Sequence, residues 1–388
     1  MAYRVRTRDE HFQNDGQPKR ILALDGGGLR GILTLGILQQ VEDLLRKRHG
    51  AGSEFRLAHY YDLIAGTSTG AIIAAALVMG WSVEQIREKY MQLGKRVFER
   101  TLLRQGLLRA RYDERKLTEE LKDVYGESTT VGDPNKLVTG LLVVSKRIDT
   151  GSPWPIGNNP EGKYFRLRPN NVVGNGDYPL WKVVRASTAA PSYFDSERIT
   201  ICQPASGNNI VGDFVDGGVS PHNNPSLMAL IYATREGYRV KWPMDEKKIL
   251  LTSVGTGAAD PNVERSSIAA QHALKSMLSL MQDAATLNEL LLQWIGAGTT
   301  HRKIDNEIGT LDDDSVEGKR LLTYARYNVD LQLEAVQKLN PALKDADDVA
   351  ALSAMDAPEN METLHGLGVA AGKRNVQDSH FPAEFNLR

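Results

Sequence analysis

The stretch DLIAGTSTGAII, at residues 62–73, decides the fold class of this 388-residue chain. A short apolar run is followed by Gly-x-Ser-x-Gly, and a helical pattern of small apolar residues begins directly after it. This order of strand, tight turn and helix is the context in which the motif presents a serine hydroxyl above a sheet edge. The stretch therefore predicts an α/β fold, with Ser68 as a candidate nucleophile in a strained turn between Gly66 and Gly70.

The composition is that of an ordinary globular protein. Lys and Arg total 47 and Asp and Glu total 48, so the net charge of -1 provides no field that would favour a nucleic acid polymer. The single cysteine, Cys202, excludes an intramolecular disulfide and fits a reducing compartment. The first ten residues contain no apolar signal-peptide core. We therefore expect a cytoplasmic protein.

The uncharged run at residues 63–83 is long enough to resemble a membrane span. It contains three glycines, two serines and two threonines, together with the predicted turn, so a buried strand and helix explain it better. Contact with a membrane surface would then come from elsewhere, and residues 95–116 hold eight Lys or Arg against three Asp or Glu. This segment is either a solvated helical arm or a lid that meets anionic lipid, and the sequence leaves both open.

Buried strands alternate with helical patterns as far as about residue 260. Predicted strands lie at residues 20–25, in the short apolar run before the Gly-x-Ser-x-Gly motif, at 136–145, and before the glycines of the segments 210–219 and 248–257, with an edge strand at 163–168. This alternation predicts a mostly parallel central sheet that is covered by helices on both faces.

The chain beyond residue 266 has a mainly helical pattern. We divide the protein into an irregular N-terminal arm at residues 1–18, a catalytic domain at 19–300 and a largely helical C-terminal extension at 301–388. The extension can pack as part of the same domain. Its acidic run at residues 312–314 is expected to be an exposed loop rather than a cation site.

Two further motifs lie where predicted strands end. DGGGLRG, at residues 25–31, opens a helix, so its backbone N–H groups converge on a site for negative charge. A dinucleotide-binding site would need an acidic residue at the end of the next strand, whereas Glu42 and Asp43 lie within the helix pattern. DGG, at residues 216–218, follows another strand and supplies an acid. Since parallel sheets hold their sites at the carboxyl ends of strands, we expect these motifs to meet.

Together, these motifs resemble those of the patatin-like phospholipase family. DGGGLRG, GTSTG and DGG match its three motifs in order and spacing, and ASTAAPSYF at residues 186–194 resembles the helix end that precedes the acid. The resemblance covers residues 19–260, while residues 300–388 carry no match. It implies the patatin-like α/β fold and a lipid acyl hydrolase of the phospholipase A type, which releases free fatty acids from glycerophospholipids at the inner membrane surface.

The resemblance also implies a Ser-Asp dyad. Ser68 is then the nucleophile and Asp216 the base that a serine hydroxyl needs. Backbone N–H groups of Gly27 and Gly28, helped by that of Thr69, would hold the oxyanion, and Arg30 is expected to brace the loop. Neither a metal nor a cofactor is required. The remaining predicted site residues are the other motif glycines, Gly26, Gly31, Gly66, Gly70, Gly217 and Gly218.

Two alternatives to a constitutive dyad enzyme stay open. Ser68, Asp216 and His222 occur in the chain order of an α/β-hydrolase triad, although His222 can equally be a loop residue that packs beside the acid. The site can also be idle until a signal binds, because some bacterial members of the family are anti-phage phospholipases that cyclic dinucleotides activate. A homo-oligomer is compatible with either. A binding module with an inactive site is disfavoured, since every motif residue is present.

Overall fold

The computed structural model of the chain describes residues 3–98, 112–166, 171–191, 193–258, 269–298 and 300–388. Within these ranges, nine strands form one sheet. They are β1 (Lys19–Leu24), β2 (Leu63–Thr67), β3 (Gly140–Arg147), β4 (Pro153–Gly157), β5 (Glu197–Cys202), β6 (Ile210–Asp216), β7 (Ile249–Val254), β8 (Gly296–Ala297) and β9 (Leu322–Tyr327).

The spatial order of the strands is β5-β6-β3-β2-β1-β7-β9-β8, and β4 pairs with β3 beside this path. The six strands from β3 to β8 in this order pair in parallel, whereas β4 and β6 run antiparallel to β3. The prediction of a mostly parallel sheet is therefore confirmed, with an antiparallel margin that the sequence pattern did not indicate.

Helices connect the strands in the described part of the chain. They are α1 (Arg8–Phe12), α2 (Gly31–Arg48), α3 (Leu57–Tyr60), α4 (Thr69–Val78), α5 (Val83–Val97), α6 (Glu114–Tyr125), α7 (Leu180–Ser187), α8 (Ser226–Thr234), α9 (Ala269–Ile295), α10 (Leu333–Leu339), α11 (Ala346–Ala351) and α12 (Met361–Asn375). The uncharged run at residues 63–83 forms β2 and α4, as predicted. None of the helices that the structure describes is both long enough and apolar enough to cross a membrane.

Alternate side chains of the central strands point into two separate cores. Leu22, Leu24 and Ile64 pack in a core with α2, α4 and α12, whereas Ile21 and Leu63 pack in a core with α8 on the opposite face. Because both faces of the parallel strands are covered, β1 and β2 are buried at every position. The prediction that helices cover both faces is confirmed.

The segment that was predicted as a C-terminal extension supplies both a helix layer and a strand. Its helical character is confirmed, but β9 also inserts into the sheet between β7 and β8. Its last helix, α12, packs against α2, where glycines let the two backbones approach closely. The division into an arm, a catalytic domain and an extension stays a prediction, and the arm contains the short helix α1, whose His11 lies 2.8 Å from Asp62.

We expect Gly368→Ala in α12 to destabilise the protein by about 1–3 kcal/mol, because a Cβ there would lie 2.2 Å from the carbonyl oxygen of Leu33 in α2. Gly366, on the same helix, has nothing within 4 Å of the position of an added Cβ. Gly366→Ala should therefore leave stability unchanged or raise it by up to about 1 kcal/mol. Urea denaturation followed by circular dichroism measures both, and equal midpoints for the two variants would contradict this packing.

Two predictions for peripheral segments have different outcomes. Residues 163–166 form turns instead of the predicted edge strand, since the N–H groups of Phe165 and Gly176 bond to loop carbonyls. Residues 167 and 168 lie outside the described residues, as do residues 99–111 of the basic segment. The acidic run at residues 312–314 is exposed.

Candidate active site

Ser68 occupies the sharp turn between β2 and α4. Its backbone has φ 55° and ψ −124°, a left-handed conformation that non-glycine residues adopt only under constraint. The glycines on either side permit the turn, because a Cβ on Gly66 would lie 2.2 Å from the carbonyl oxygen of Gly70 and one on Gly70 2.1 Å from that of Leu24. The turn thus projects the Ser68 hydroxyl beyond the end of the sheet.

Ser187, at the end of α7, links the Ser68 turn to β3 by two hydrogen bonds. Its hydroxyl accepts a hydrogen bond from the Ser68 N–H at 2.9 Å and donates one to the carbonyl oxygen of Val144 in β3 at 2.6 Å. Ser187 belongs to the ASTAAPSYF motif, for which the sequence alone indicates no role. The structure shows that this motif ties the nucleophile turn to the neighbouring strand.

Asp216 reaches the same sheet edge from the other side of β3. In the sheet register, Thr67 lies opposite Val144 and Asp216 lies opposite Ser145, the next residue of β3. The antiparallel strand β6 overlaps only the final residues of β3, so its last residue arrives at the carboxyl ends of the parallel strands. The Ser68 hydroxyl donates a hydrogen bond of 2.5 Å to Asp216 Oδ2.

Asp216 is buried, with 4% of its surface exposed, but both carboxylate oxygens accept hydrogen bonds. The second oxygen, Oδ1, accepts from the Gly218 N–H at 2.7 Å. Burial raises the pKa of Asp216 to about 6, while the bonds from Ser68 and Gly218 and the charge of Arg185 act in the opposite direction. At neutral pH the carboxylate is ionised and is more basic than an exposed aspartate.

The glycine-rich loop lies against the Ser68 turn and is fixed by hydrogen bonds to distant segments of the chain. The Gly26 N–H bonds to the Asn223 carbonyl oxygen at 3.0 Å, and the Gly26 carbonyl oxygen accepts from the Thr256 hydroxyl at 2.9 Å. Further along, Tyr90 donates to the Gly28 carbonyl oxygen at 2.7 Å, and the Leu29 N–H donates to the Met355 carbonyl oxygen at 2.8 Å. A set of contacts distant in sequence thus orients the loop.

The backbone N–H groups of Gly27, Gly28 and Thr69 have no hydrogen-bond acceptor within the described ranges. All three residues line the cleft that holds Ser68 and Asp216. Free backbone donors beside a serine hydroxyl can stabilise negative charge on a carbonyl oxygen that the hydroxyl attacks.

The walls of this cleft are predominantly apolar. Side chains from α4, α5 and α6, from the segment after α7 and from α9 surround the Ser68 hydroxyl. The apolar and aromatic members of the wall include Leu29, Ile72, Leu93, Phe98, Leu117, Tyr193, Phe194, Leu278, Met281 and Met355. Such a lining accommodates a long hydrocarbon chain better than a polar substrate.

His222 takes no part in the Ser68–Asp216 pair. Its carbonyl oxygen accepts a hydrogen bond of 2.6 Å from the Thr67 hydroxyl, so its backbone contributes to the site. Its ring Nδ1 is buried and has no hydrogen-bond partner in the described part of the chain, and burial lowers the pKa of the ring. Asp216 instead contacts the Ser68 hydroxyl directly.

Arg30 contacts the glycine-rich loop through its backbone, whose N–H donates a hydrogen bond of 3.3 Å to the Gly27 carbonyl oxygen. Its side chain is 7% exposed, makes no hydrogen bond to the loop among the described residues, and lines a second, polar cavity. Asp25, which begins the same motif, pairs with Arg326 of β9 through two hydrogen bonds of 2.9 and 2.6 Å. No sequence pattern indicates Arg326, because β9 itself is not predicted. The described residues contain no group of three or more His, Cys, Asp or Glu side chains placed to hold a metal ion.

Comparison with known proteins gives consistent matches. The chain is 28% identical over 247 residues to a cGAMP-activated phospholipase of Escherichia coli (62% of this chain, 63% of that protein). It is 32% identical over 247 residues to a cUMP-AMP-activated phospholipase of Escherichia coli (61% and 64%). It is 30% identical over 282 residues to the calcium-independent phospholipase A2-gamma of Rattus norvegicus (71% and 33%). The chain thus spans between a third and two thirds of the length of these relatives.

The family description "Patatin-like phospholipase" matches residues 22–230, more than half of the chain. This range contains the glycine-rich loop, the Ser68 turn and Asp216, which the fold brings together at one edge of the sheet. The chain belongs to the patatin-like phospholipase family.

Proposed function

We propose that the protein is a lipid acyl hydrolase of the phospholipase A type that uses Ser68 and Asp216 as a catalytic dyad. The observation that carries the proposal is the 2.5 Å hydrogen bond from the Ser68 hydroxyl to the buried Asp216 carboxylate. A serine hydroxyl needs a base to become a nucleophile, and this carboxylate is in direct contact with it. The apolar walls of the cleft and the family membership favour a lipid ester as substrate.

In the proposed reaction, Ser68 Oγ attacks the ester carbonyl carbon while Asp216 Oδ2 accepts the hydroxyl proton. The N–H groups of Gly27, Gly28 and Thr69 donate hydrogen bonds to the oxyanion of the tetrahedral intermediate. The intermediate collapses, the ester C–O bond breaks, and the lysophospholipid alkoxide takes the proton from Asp216. Water then attacks the acyl-enzyme as Asp216 accepts its proton, and the fatty acid leaves as Ser68 recovers a proton.

The pH dependence of this reaction follows from the raised pKa of Asp216. Only the ionised carboxylate can accept the proton, so we expect kcat/KM to fall about tenfold per unit as the pH decreases below about 6. A soluble short-chain ester, assayed from pH 4.5 to 8, measures the profile. His222→Ala should show the same profile, and circular dichroism at each pH separates inactivation from unfolding. A kcat/KM that is constant down to pH 4.5 would contradict Asp216 as the base.

Action on a bilayer requires a surface that contacts the membrane, and α9 offers one. Leu280, Leu287 and Trp294 follow one another at seven-residue steps along this helix, and their exposed fractions are 69%, 56% and 41%. On the same helix, Leu278 and Met281 line the catalytic cleft. We propose that this apolar stripe of α9 contacts the inner membrane surface, because apolar side chains along one helix face favour a position at the membrane interface.

Leu280→Ser together with Leu287→Ser should weaken binding to phospholipid vesicles by about tenfold or more, since each leucine loses burial in the lipid. Hydrolysis of a soluble short-chain ester should be retained. Ile210→Ser, which removes a side chain of similar exposure at the start of β6, is the control. Vesicle co-sedimentation measures binding. If the double variant and the control bind vesicles equally well, α9 does not contact the membrane.

The names of two similar proteins also support activation of this enzyme by a cyclic dinucleotide. Two bacterial proteins to which the chain is similar are named as phospholipases activated by cGAMP and by cUMP-AMP. In such a gated enzyme, hydrolysis is near zero until the nucleotide binds. Activity that is complete without any additive would exclude gating while leaving the hydrolase proposal intact.

The experiment that tests the hydrolase proposal is product analysis on mixed phospholipid vesicles, with and without cGAMP and cUMP-AMP. Mass spectrometry should detect a free fatty acid and a lysophospholipid in equal amounts. Diacylglycerol or phosphatidic acid as the main product would place the cleavage at a phosphate ester and overturn the proposal.

A further inference from the structure

A second cavity, of about 530 Å³, lies behind the glycine-rich loop and is open to solvent. Unlike the catalytic cleft, it has polar walls, which come from the start of α2, from α9 and from the segments that follow β7 and β9. Its volume is within the range of about 300–1,000 Å³ that is typical of small-molecule sites. Its polar lining includes Arg30, Asn223, Gln282, Arg326, Asn328 and Gln332.

Arg30 is a buried cation in the wall of this polar cavity, without a partner in the described part of the chain. Its side chain is 7% exposed, its Nε has no hydrogen-bond acceptor, and it forms no ion pair. Buried guanidinium groups are normally paired, because an unpaired charge that has lost its water is costly. Burial lowers the pKa of Arg30 to about 10, so the group is still charged at neutral pH.

The other two guanidinium groups of the polar cavity already have carboxylate partners. Arg326 pairs with Asp25, and Arg302 donates a hydrogen bond of 2.9 Å to Glu289. Arg326 Nε nevertheless lacks an acceptor and is buried. Three guanidinium groups therefore face one cavity, and two of them keep unused buried donors. An anion would satisfy these donors.

We propose that the polar cavity binds a nucleotide phosphodiester as the regulator of the adjacent catalytic cleft, an inference that rests on the proposed function. The phosphodiester would contact Arg30 and Arg326. The amide groups of Gln282 and Gln332 present both donors and acceptors, which suit the edges of nucleobases, while Asn328, whose Oδ1 accepts from the Gly257 N–H, adds its NH2 donors.

The peptide of Gly26 is held by residues that line the two cavities. Asn223, which lines both cavities, accepts from the Gly26 N–H and also donates to the Gly26 carbonyl oxygen at 3.3 Å. Thr256, which lines the polar cavity, donates to the same oxygen. A ligand on Arg30 therefore contacts residues that hold the oxyanion loop in place. Occupancy of the polar cavity can in this way change the geometry of the catalytic cleft.

The test uses isosteric changes that add only negative charge to the polar cavity. Gln282→Glu and Gln332→Glu should each weaken the binding of cGAMP to the 388-residue chain by about tenfold or more, because each places a carboxylate near the phosphodiester. Gln13→Glu, at an exposed position beside α1, adds the same charge elsewhere and should bind like the wild type. Isothermal titration calorimetry with cGAMP, cUMP-AMP, AMP and inorganic phosphate measures the affinities.

Weaker binding in the two cavity variants, with a matching loss of stimulated hydrolysis, is the expected result. Equal affinities in all four proteins, or no binding of any nucleotide, would overturn the proposal. Binding of inorganic phosphate as tightly as cGAMP would overturn the assignment to a nucleotide. Ser68→Ala should bind cGAMP like the wild type but should not hydrolyse lipid. Hydrolysis by Ser68→Ala would thus refute only the proposal that Ser68 is the nucleophile. Unaltered cGAMP binding in the two cavity variants would refute only the proposal that the polar cavity binds the nucleotide.

Discussion

Replacing Ser68 with alanine should lower the rate of fatty-acid release by about 10⁴-fold or more. The hydroxyl is the proposed nucleophile, and its bond to Asp216 is the contact on which the mechanism depends. The backbone of the turn should survive the change, because the Ser68 N–H still donates to Ser187. Mass-spectrometric quantification of fatty acid released from phospholipid vesicles measures the effect, in the presence of any activating nucleotide.

Ser145→Ala is the matched control for Ser68→Ala. Ser145 is a buried serine of β3 that lies opposite Asp216 in the sheet, and its hydroxyl has no hydrogen-bond partner in the ranges that the structure describes. Removing it should change the rate by no more than a few fold. If both alanine variants release fatty acid at the wild-type rate, Ser68 is not the nucleophile.

Replacing Asp216 with asparagine should reduce the rate by about 10³–10⁴-fold. With the amide oxygen at the Oδ1 position, the amide NH2 group lies beside the Ser68 hydroxyl and cannot take up its proton, so the geometry is kept and the base is lost. The side chain is close to isosteric, and an amide oxygen can still accept from the Gly218 N–H. The initial rate on a soluble short-chain ester, measured above pH 7, reports the loss without effects of membrane binding.

Two controls accompany Asp216→Asn. Asp213→Asn makes the same chemical change three residues earlier in β6, at a partly exposed side chain beside Arg198, and should retain the wild-type rate. His222→Ala should also retain most of the rate, since no hydrogen bond joins its ring to Asp216 or Ser68 in the described part of the chain. A loss confined to His222→Ala would replace the dyad with the triad.

The parts of the fold and of the site that can be predicted from the sequence are those that depend on neighbouring residues. The turn around Ser68 follows from the glycines at 66 and 70, whose neighbours leave no room for a side chain. The buried strands β1 and β2 follow from uninterrupted apolar runs, and the parallel sheet follows from their alternation with helices. These features depend on a few adjacent residues, so a single sequence indicates them.

The features that were not predicted depend on contacts between distant segments. The direction of β6 is set by its pairing with β3, about seventy residues earlier, and no local pattern distinguishes it from a parallel strand. The bond from Leu29 to Met355 and the Asp25–Arg326 pair each join residues about three hundred positions apart. Such pairings come from the packing of the whole fold. The supports of the glycine-rich loop could therefore be found only in the structure.

The strand predicted at residues 163–168 is a case in which a local sequence pattern indicates an element that the structure does not form. Its alternating aromatic and charged side chains are typical of a strand, but residues 163–166 lie in turns instead. The carbonyl oxygens of Tyr164 and Phe165 accept hydrogen bonds from the loop at Asn175 and Gly176. Local alternation is therefore a weaker signal when nearby glycines offer the backbone other partners.

The most direct test of the Ser68–Asp216 dyad is the formation of the acyl-enzyme. Rapid mixing with a chromogenic short-chain ester, followed by intact mass and peptide mapping, measures the burst of alcohol and the acylated residue. We predict acylation of Ser68 in the wild type and in His222→Ala, and a loss of the burst in Asp216→Asn. Acylation of another residue, or a burst that Asp216→Asn keeps and His222→Ala loses, would contradict the dyad.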